Sequence, residues 1–176
     1  MTQSKGDNMK RICSVILLAA LLCALLCGCG KDALGEADLA LEVSGISVNT
    51  KTDVQTILNA LGDDYDYAEA ISCVYTGMDK TYQYDDCILY TYPDGEQDCL
   101  MELYCTADVV TAKGITIGAA LKDVESAYGT DYTRAGITVT YALAAPDSLT
   151  LPASLYFELE NDTVCAIGIT TAHRAE

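Results

Sequence analysis

Hydrophobic residues recur at helical spacing in two segments of this chain, and a glycine follows each segment. The first stripe consists of Val54, Ile57, Leu58 and Leu61. The second consists of Leu121, Val124 and Tyr128. Because residues three and four positions apart share one side of a helix, each stripe predicts an amphipathic helix. Gly62 and Gly129 stand where such helices commonly end, and Thr50, with Asp53 three residues on, is the predicted N-cap of the first.

Segments rich in Ile, Val, Thr and Tyr surround both helices and predict strands. Short strands are expected before the helices, within residues 39–48 and at residues 114–117. After the first helix the predicted strands are residues 70–75, 88–92 and 99–105. After the second helix they are residues 136–143, 154–159 and 164–170. Turn-forming residues separate the last two strands of each set, which predicts two antiparallel hairpins.

The order of helix, strand and hairpin occurs twice, so the chain is predicted to be a tandem repeat of the α+β class. Each copy has a Gly-Ile start, at Gly45 and Gly114, and an Asp-Val pair in its helix. The Leu-Tyr pairs at residues 89–90 and 155–156 are 66 residues apart, near the spacing of the two helices. We assign repeat 1 to residues 45–110 and repeat 2 to residues 111–176. Since neither half would bury much core alone, we expect their sheets to pack together or join.

The N-terminal segment has the features of an export signal. After Lys10 and Arg11, residues 12–26 form fifteen uncharged positions, which suits a signal-peptide core better than a membrane span. Leu26-Cys27-Gly28-Cys29 resembles the bacterial lipobox, which implies removal of residues 1–28 and a lipid on the sulfur of Cys29. An uncleaved membrane anchor is the alternative. Residues 29–44 are then the lipidated cysteine and a tether, and the predicted location is the extracytoplasmic face of the cell membrane.

The charge of the chain argues against nucleic-acid binding. The net charge is −16, from 10 basic and 26 acidic residues. Removing residues 1–28 takes away three basic residues and one acidic residue, which leaves 7 minus 25, or −18. Such a polyanion repels phosphate backbones. A basic protein partner, attraction of cations or simple solubility each fit this charge.

Nine cysteines are present, but four of them lie in the first 29 residues. The other five are Cys73, Cys87, Cys99, Cys105 and Cys165. Five is an odd number, so at least one thiol stays free or pairs between chains. Buried free thiols and one or two disulfides both remain open, and no close pair of cysteines predicts a zinc site.

Catalytic motifs are not found. The single histidine, His173, stands near the C-terminus, which is a poor position for a general base. Acidic residues are grouped at 63–66, 85–86 and 94–98. The first and last of these groups could bind calcium, but neither has the spacing of an EF-hand loop. We therefore predict no catalytic residue, no metal site and no cofactor.

Tyrosine is the unusual side chain of this sequence. Eight of the twelve tyrosines fall between residues 65 and 104, whereas the chain has no tryptophan and one phenylalanine. Tyrosines among carboxylates are typical of protein-binding surfaces. The predicted partner-binding residues are Tyr75, Tyr82, Tyr84, Tyr90 and Tyr92. Packing of these rings in the core is the alternative.

Each copy consists of a helix that contains Asp-Val and ends at a glycine, followed by antiparallel strands. This arrangement resembles the β-lactamase-inhibitory-protein-like fold. Small outer-membrane assembly lipoproteins called SmpA/OmlA share that fold. Residues 114–129 are also similar to Firmicutes lipoproteins that carry a G-I-x-I-G…V…Y-G pattern. The resemblance covers roughly residues 45–170 and implies binding across an exposed, aromatic sheet face. It carries over no inhibitory residue.

Together these features predict a lipid-anchored extracytoplasmic binding module without catalysis. It would engage a protein partner, of unknown identity, through the tyrosine-rich acidic sheet of repeat 1. A structural or assembly lipoprotein of the cell envelope is the alternative. Neither nucleic acid nor a small-molecule substrate is expected.

Overall fold

The computed structural model describes residues 34–174 of the 176-residue chain. These residues contain two α-helices and many more residues in antiparallel strands, which agrees with the predicted α+β class. The predicted signal peptide at residues 1–28 and the predicted lipidation site Cys29 lie outside the described residues.

Helix α1 spans Val54–Leu61 and helix α2 spans Leu121–Tyr128, and a short 3-10 helix occupies Glu36–Asp38. The strands in chain order are β1 (Ala40–Val43), β2 (Ile46–Asn49), β3 (Asp66–Ile71), β4 (Met78–Gln83), β5 (Cys87–Asp94), β6 (Gln97–Cys105), β7 (Val109–Thr111), β8 (Thr133–Ala135), β9 (Thr138–Ala142), β10 (Thr150–Leu151), β11 (Ser154–Glu160), β12 (Thr163–Thr170) and β13 (His173–Arg174).

Eight strands form one antiparallel sheet in the order β3-β4-β5-β6-β12-β11-β9-β8. Strands β6 and β12 pair at its centre, so the strands that follow α1 occupy one half and those that follow α2 occupy the other. In each half, the strand that comes last in the chain lies at the centre of the sheet and the strand that comes first lies at the edge. Strands β2, β1 and β7 form a three-stranded sheet, and β10 pairs with β13.

The helices form where the apolar stripes predict them, and both predicted glycine stops are confirmed. Gly62 and Gly129 have φ angles of 90° and 89°, a region that glycine enters without strain. The predicted N-cap Thr50 is wrong. Asp53 caps α1 instead, because its backbone is extended and its carboxylate accepts a hydrogen bond from the Thr56 N–H at 3.1 Å.

Both predicted hairpins are confirmed, as β5 with β6 and β11 with β12. The other strand predictions need correction. Residues 72–75 lie in a loop, and the polar segment Met78–Gln83 forms β4 because it pairs with β3 on one side and β5 on the other. Residues 136–143 supply β9, whereas the turn at Gly136 separates it from β8. The strand predicted at residues 114–117 is reduced to a single bridge at Thr116.

The tether predicted over residues 29–44 does not extend that far. Leu39 and Leu41 are fully buried in the core, and β1 pairs with both β2 and β7. The alternation of apolar and polar residues from Leu39 to Val43 therefore marks a strand with one buried face, as expected for that pattern.

One core lies between the large sheet and the helices. Along the middle of the sheet, the register aligns a row of side chains on the core face, formed by Tyr82, Leu89, Leu103, Ile169, Leu155 and Tyr141. Val54 and Ile57 of α1 and Val124 and Tyr128 of α2 are buried in the same cluster. The helices therefore cover one face of the sheet.

Cys87 and Cys105 form a disulfide across the β5–β6 pair, where the two residues lie directly opposite with Cα atoms 4.2 Å apart. Of the described cysteines, Cys73, Cys99 and Cys165 are free thiols. The sequence left open whether these cysteines are free thiols or form disulfides. The described cysteines do both, with one disulfide and three free thiols.

Candidate functional site

Successive side chains of a strand point to opposite sides, so the large sheet has a second face. The helices do not cover this face. We call it the outer face. In its central part it carries Ile88, Tyr90, Tyr92, Glu102, Tyr104, Tyr156, Glu158 and Gly168. Apart from Gly168, which is buried, these residues are half-buried, unlike the fully buried Leu89 and Leu103 that alternate with them. This face therefore combines aromatic area with carboxylates at the surface.

At its centre, two tyrosines and two glutamates from β6 and β11 form crossed hydrogen bonds over β12. The Tyr104 hydroxyl donates to Glu158 Oε2 at 3.1 Å. The Tyr156 hydroxyl donates to Glu102 Oε1. The two rings stack with their centroids 6.4 Å apart and their planes at 22°. We call these four residues the Tyr–Glu cluster.

Gly168 of β12 makes room for the cluster. The register places it between Tyr104 and Tyr156, in the middle of the three strands. A Cβ atom at this position would overlap the Tyr156 ring, so the ring lies directly on the strand backbone. A glycine within a strand commonly marks such a close approach.

Both tyrosines of the cluster remain protonated well above neutral pH. Burial raises the pKa of Tyr104 to about 12, helped by its hydrogen bond to Glu158. Burial also raises the pKa of Tyr156, helped by its bond to Glu102. Hydroxyls that stay protonated keep donating their hydrogen bonds to the carboxyl oxygens of Glu158 and Glu102.

The two glutamates have no basic counterion among the described residues. The ion pairs there join Lys51 with Glu36, Lys80 with Asp98, Lys113 with Asp38, and Arg134 with Asp162. Each of the two glutamates instead accepts a hydrogen bond from a tyrosine, and a carboxylate has room for further donors. Two carboxylates beside two stacked rings are chemically suited to a lysine or arginine side chain, through charge-assisted hydrogen bonds and cation–π contact.

The structure divides the five tyrosines predicted to bind a partner. Tyr90 and Tyr92 lie on the outer face, and Tyr75 stacks on Tyr92 with ring centroids 4.7 Å apart. Tyr82 and Tyr84 lie on the core side of the sheet instead. Tyr82 is only 7% exposed in the core, and Tyr84 packs against the core with its hydroxyl bonded to the Gly62 carbonyl at 3.1 Å.

The residues of the Tyr–Glu cluster are not among the predicted site residues. Their signal is nevertheless present in the sequence, as Glu102-Leu-Tyr104 in one hairpin and Tyr156-Phe-Glu158 in the other. In both triplets the polar residues are two positions apart and flank a buried apolar residue, which is the pattern of one strand face. The order of tyrosine and glutamate is reversed between them, so the hydrogen bonds cross.

Within residues 34–174 no group of three or more His, Cys, Asp or Glu side chains is placed to hold a metal ion. None of the helices in this range is long and apolar enough to cross a membrane. Comparison with protein-family models, curated proteins and solved structures found no match to this chain.

Proposed function

We propose that this protein is a lipid-anchored, extracytoplasmic binding module without catalysis, and that its outer face binds a protein partner rich in lysine or arginine. The observation that carries the proposal is the Tyr–Glu cluster. Glu102 and Glu158 lie at the surface without a basic counterion among the described residues, beside the stacked rings of Tyr104 and Tyr156. A net charge of −16 adds attraction for a basic partner over longer distances.

The binding area extends over both hairpins in this proposal. The cluster itself joins β6 and β11, and Tyr90 on β5 is on the same side of the sheet. Tyr92, with its stacked neighbour Tyr75, extends this surface toward one end. Rigid aromatic rings give contact area at low entropic cost, which favours them as anchors of an interface. The tyrosine-rich first half therefore contributes part of the surface rather than all of it.

A tandem duplication is proposed as the origin of this architecture. It is supported by the order of elements along the chain. In each half, a helix is followed by four antiparallel strands that join the large sheet. It also agrees with the resemblance to the β-lactamase-inhibitory-protein-like fold and to SmpA/OmlA lipoproteins. In that case β5 corresponds to β11 and β6 to β12, so the two triplets of the cluster lie on strands that are not equivalent in the two copies.

Lipidation at Cys29 is expected to place the module on the outside of the cell membrane. Mass spectrometry of the protein from native membranes should find an N-terminus at Cys29 that carries a diacylglycerol, with residues 1–28 removed. A Cys29→Ser variant should leave the membrane fraction or remain unprocessed, because the lipid is the expected anchor. An unmodified Cys29, or retention of residues 1–28 in the wild-type protein, would contradict the anchor.

Binding of a partner through the Tyr–Glu cluster is tested by crosslinking and affinity recovery from native membranes. The test variant is Glu102→Gln with Glu158→Gln, which removes two negative charges and keeps the shapes of the side chains. We expect it to recover at least tenfold less of the partner, because charge-assisted bonds and long-range attraction are both lost. The matched control is Glu42→Gln with Glu96→Gln, which removes two exposed carboxylates away from the cluster.

The outcomes separate the proposal from its alternative. Equal recovery by the test and control variants would refute binding through the Tyr–Glu cluster. Recovery of a membrane complex in fixed stoichiometry, independent of the cluster, would instead indicate a structural or assembly lipoprotein of the cell envelope.

A further inference from the structure

The large sheet ends in two edge strands, β3 and β8, which differ in how they are protected. β8 is three residues long and carries Arg134 at its middle. β3 spans six residues, Asp66–Ile71, and all of them are exposed. It contains no proline and no lysine, and its register with β4 has no bulge. Short length, proline, lysine and bulges commonly keep an edge strand from pairing with another chain, and β3 lacks all of them.

The hydrogen-bond pattern shows which backbone groups of β3 are free. The Ser72 N–H donates to the Gly77 carbonyl at 3.0 Å, in the same register that joins β3 to β4. Because antiparallel bonding alternates along a strand, every second residue counted back from Ser72 bonds to β4, and the residues between them direct their N–H and C=O groups away from it. These outward residues are Tyr67, Glu69 and Ile71. Among the described residues, their backbone groups have no partner on that side.

The side chains on this edge also have apolar surface to bury. Tyr67, Glu69 and Ile71 lie on the core side of the sheet, because the register sets Tyr67 opposite the core residue Tyr82. Tyr67 is 49% exposed, and Ile71, at 80%, is the most exposed large hydrophobic residue in the described part of the chain. A strand added beside β3 would therefore gain backbone hydrogen bonds and bury apolar surface at the same place.

The acidic residue Glu69 decides which register a second copy of β3 can take. Antiparallel pairing joins outward residues with outward residues. With Glu69 opposite its own counterpart, two like charges would face each other, which destabilises a strand pair. A shift by two positions in one direction sets Glu69 opposite the apolar Ile71. The opposite shift sets it opposite Tyr67, whose hydroxyl already donates to Glu69 Oε2 within one chain, so this register alone gives Glu69 a donor.

We infer that β3 pairs with β3 of a second copy in this last register, which joins the two large sheets into one continuous sheet. Ala68 then lies at the two-fold axis opposite Ala68 of the second copy, and Ile71 lies opposite Tyr65. The axis is perpendicular to the sheet, so both helix-covered faces are on one side and both outer faces on the other. The contact does not cover the Tyr–Glu clusters. The inference concerns a different surface from the proposed function and does not depend on it.

Disulfide crosslinking of the purified full-length protein in detergent tests this register. Ala68→Cys would place its two thiols at a pair without backbone hydrogen bonds, where the Cα atoms are about 4.5 Å apart, within the range that a disulfide spans. Ala70→Cys is the matched control, since an offset of four residues puts its two Cα atoms about 14 Å apart. Both are made in a Cys73→Ser background, because Cys73 is an exposed free thiol. High salt is used to screen the repulsion between two negatively charged copies.

We expect mild oxidation to give at least tenfold more covalent dimer from Ala68→Cys than from Ala70→Cys. Equal yields from the two variants, or no dimer of Ala68→Cys, would overturn the inference.

Lysine substitutions test the same pairing without a covalent bond. Ala68→Lys would set two ammonium groups against each other at the axis, whereas Ala70→Lys would set each ammonium group opposite Asp66 of the other copy. Both add one positive charge to the same exposed strand. Sedimentation should therefore give a dimer dissociation constant at least tenfold larger for Ala68→Lys than for Ala70→Lys. Equal constants, or a wild-type protein that stays monomeric, would contradict the pairing, and so would open assemblies larger than a dimer, because a two-fold contact closes on itself.

Discussion

Replacing Phe157 with alanine should lower the free energy of unfolding by about 3–5 kcal/mol, the usual range for a fully buried aromatic residue. Phe157 is 0% exposed. Its ring lies 5.8 Å from the ring of Tyr128 on α2 and 6.1 Å from that of Tyr141 on β9. Truncation would leave a cavity between the helix and the sheet. The neighbouring rings cannot easily close it, because the Tyr141 hydroxyl is bonded to the Gly129 carbonyl at 2.8 Å.

Urea denaturation followed by circular dichroism measures this effect. Leu149→Ala is the matched control, because Leu149 is 63% exposed and should change the free energy of unfolding by less than about 0.5 kcal/mol. A loss below about 1 kcal/mol for Phe157→Ala would mean that this ring does not hold α2 on the sheet. An altered dependence on urea, rather than a shifted midpoint, would point to a change in the unfolded state.

The parts of the fold that follow from local sequence are predicted well. The two helices depend on stripes of three or four apolar residues and on a glycine that ends each one. The two hairpins depend on strands joined by short turns, so partner strands are neighbours in the chain. In each case the determining residues lie within about twenty positions of one another, which is the range over which a periodic pattern is informative.

The face on which a residue lies is less predictable when distant pairing decides it. Tyr82 and Tyr84 are in a polar segment, which suggests a surface position. Pairing of β4 with β5 sets Tyr82 opposite Leu89, and that contact turns both tyrosines toward the core. A shift by one residue would have placed them on the outer face, since strand side chains alternate.

The Tyr–Glu cluster could not be assembled from the sequence for the same reason. Its two hydrogen bonds each join residues 54 positions apart. They form only because β6 and β11 both pair with β12. A sequence pattern shows that each triplet has two polar residues on one face, but the proximity of the triplets is a property of the sheet order.

Substituting alanine for Gly168 should destabilise the protein by about 1–3 kcal/mol, the range for adding a group to a well-packed site. The new Cβ would overlap the Tyr156 ring, which must then leave its place on β12. That movement breaks the hydrogen bond to Glu102 and the stacking on Tyr104. Urea denaturation measures the stability change, and recovery of the partner by crosslinking should fall in parallel.

A double-mutant cycle with Tyr156→Ala distinguishes this clash from a general intolerance of alanine in β12. Without the ring the three closest overlaps of the new methyl group are removed, so Gly168→Ala should then destabilise the protein much less. The difference between the two backgrounds is the coupling energy, and contacting residues typically give about 0.5–3 kcal/mol. Equal effects in both backgrounds would show that Gly168 is required by the backbone rather than by Tyr156. A large coupling would mean that one glycine sets both the packing of the central strands and the shape of the surface proposed to bind the partner.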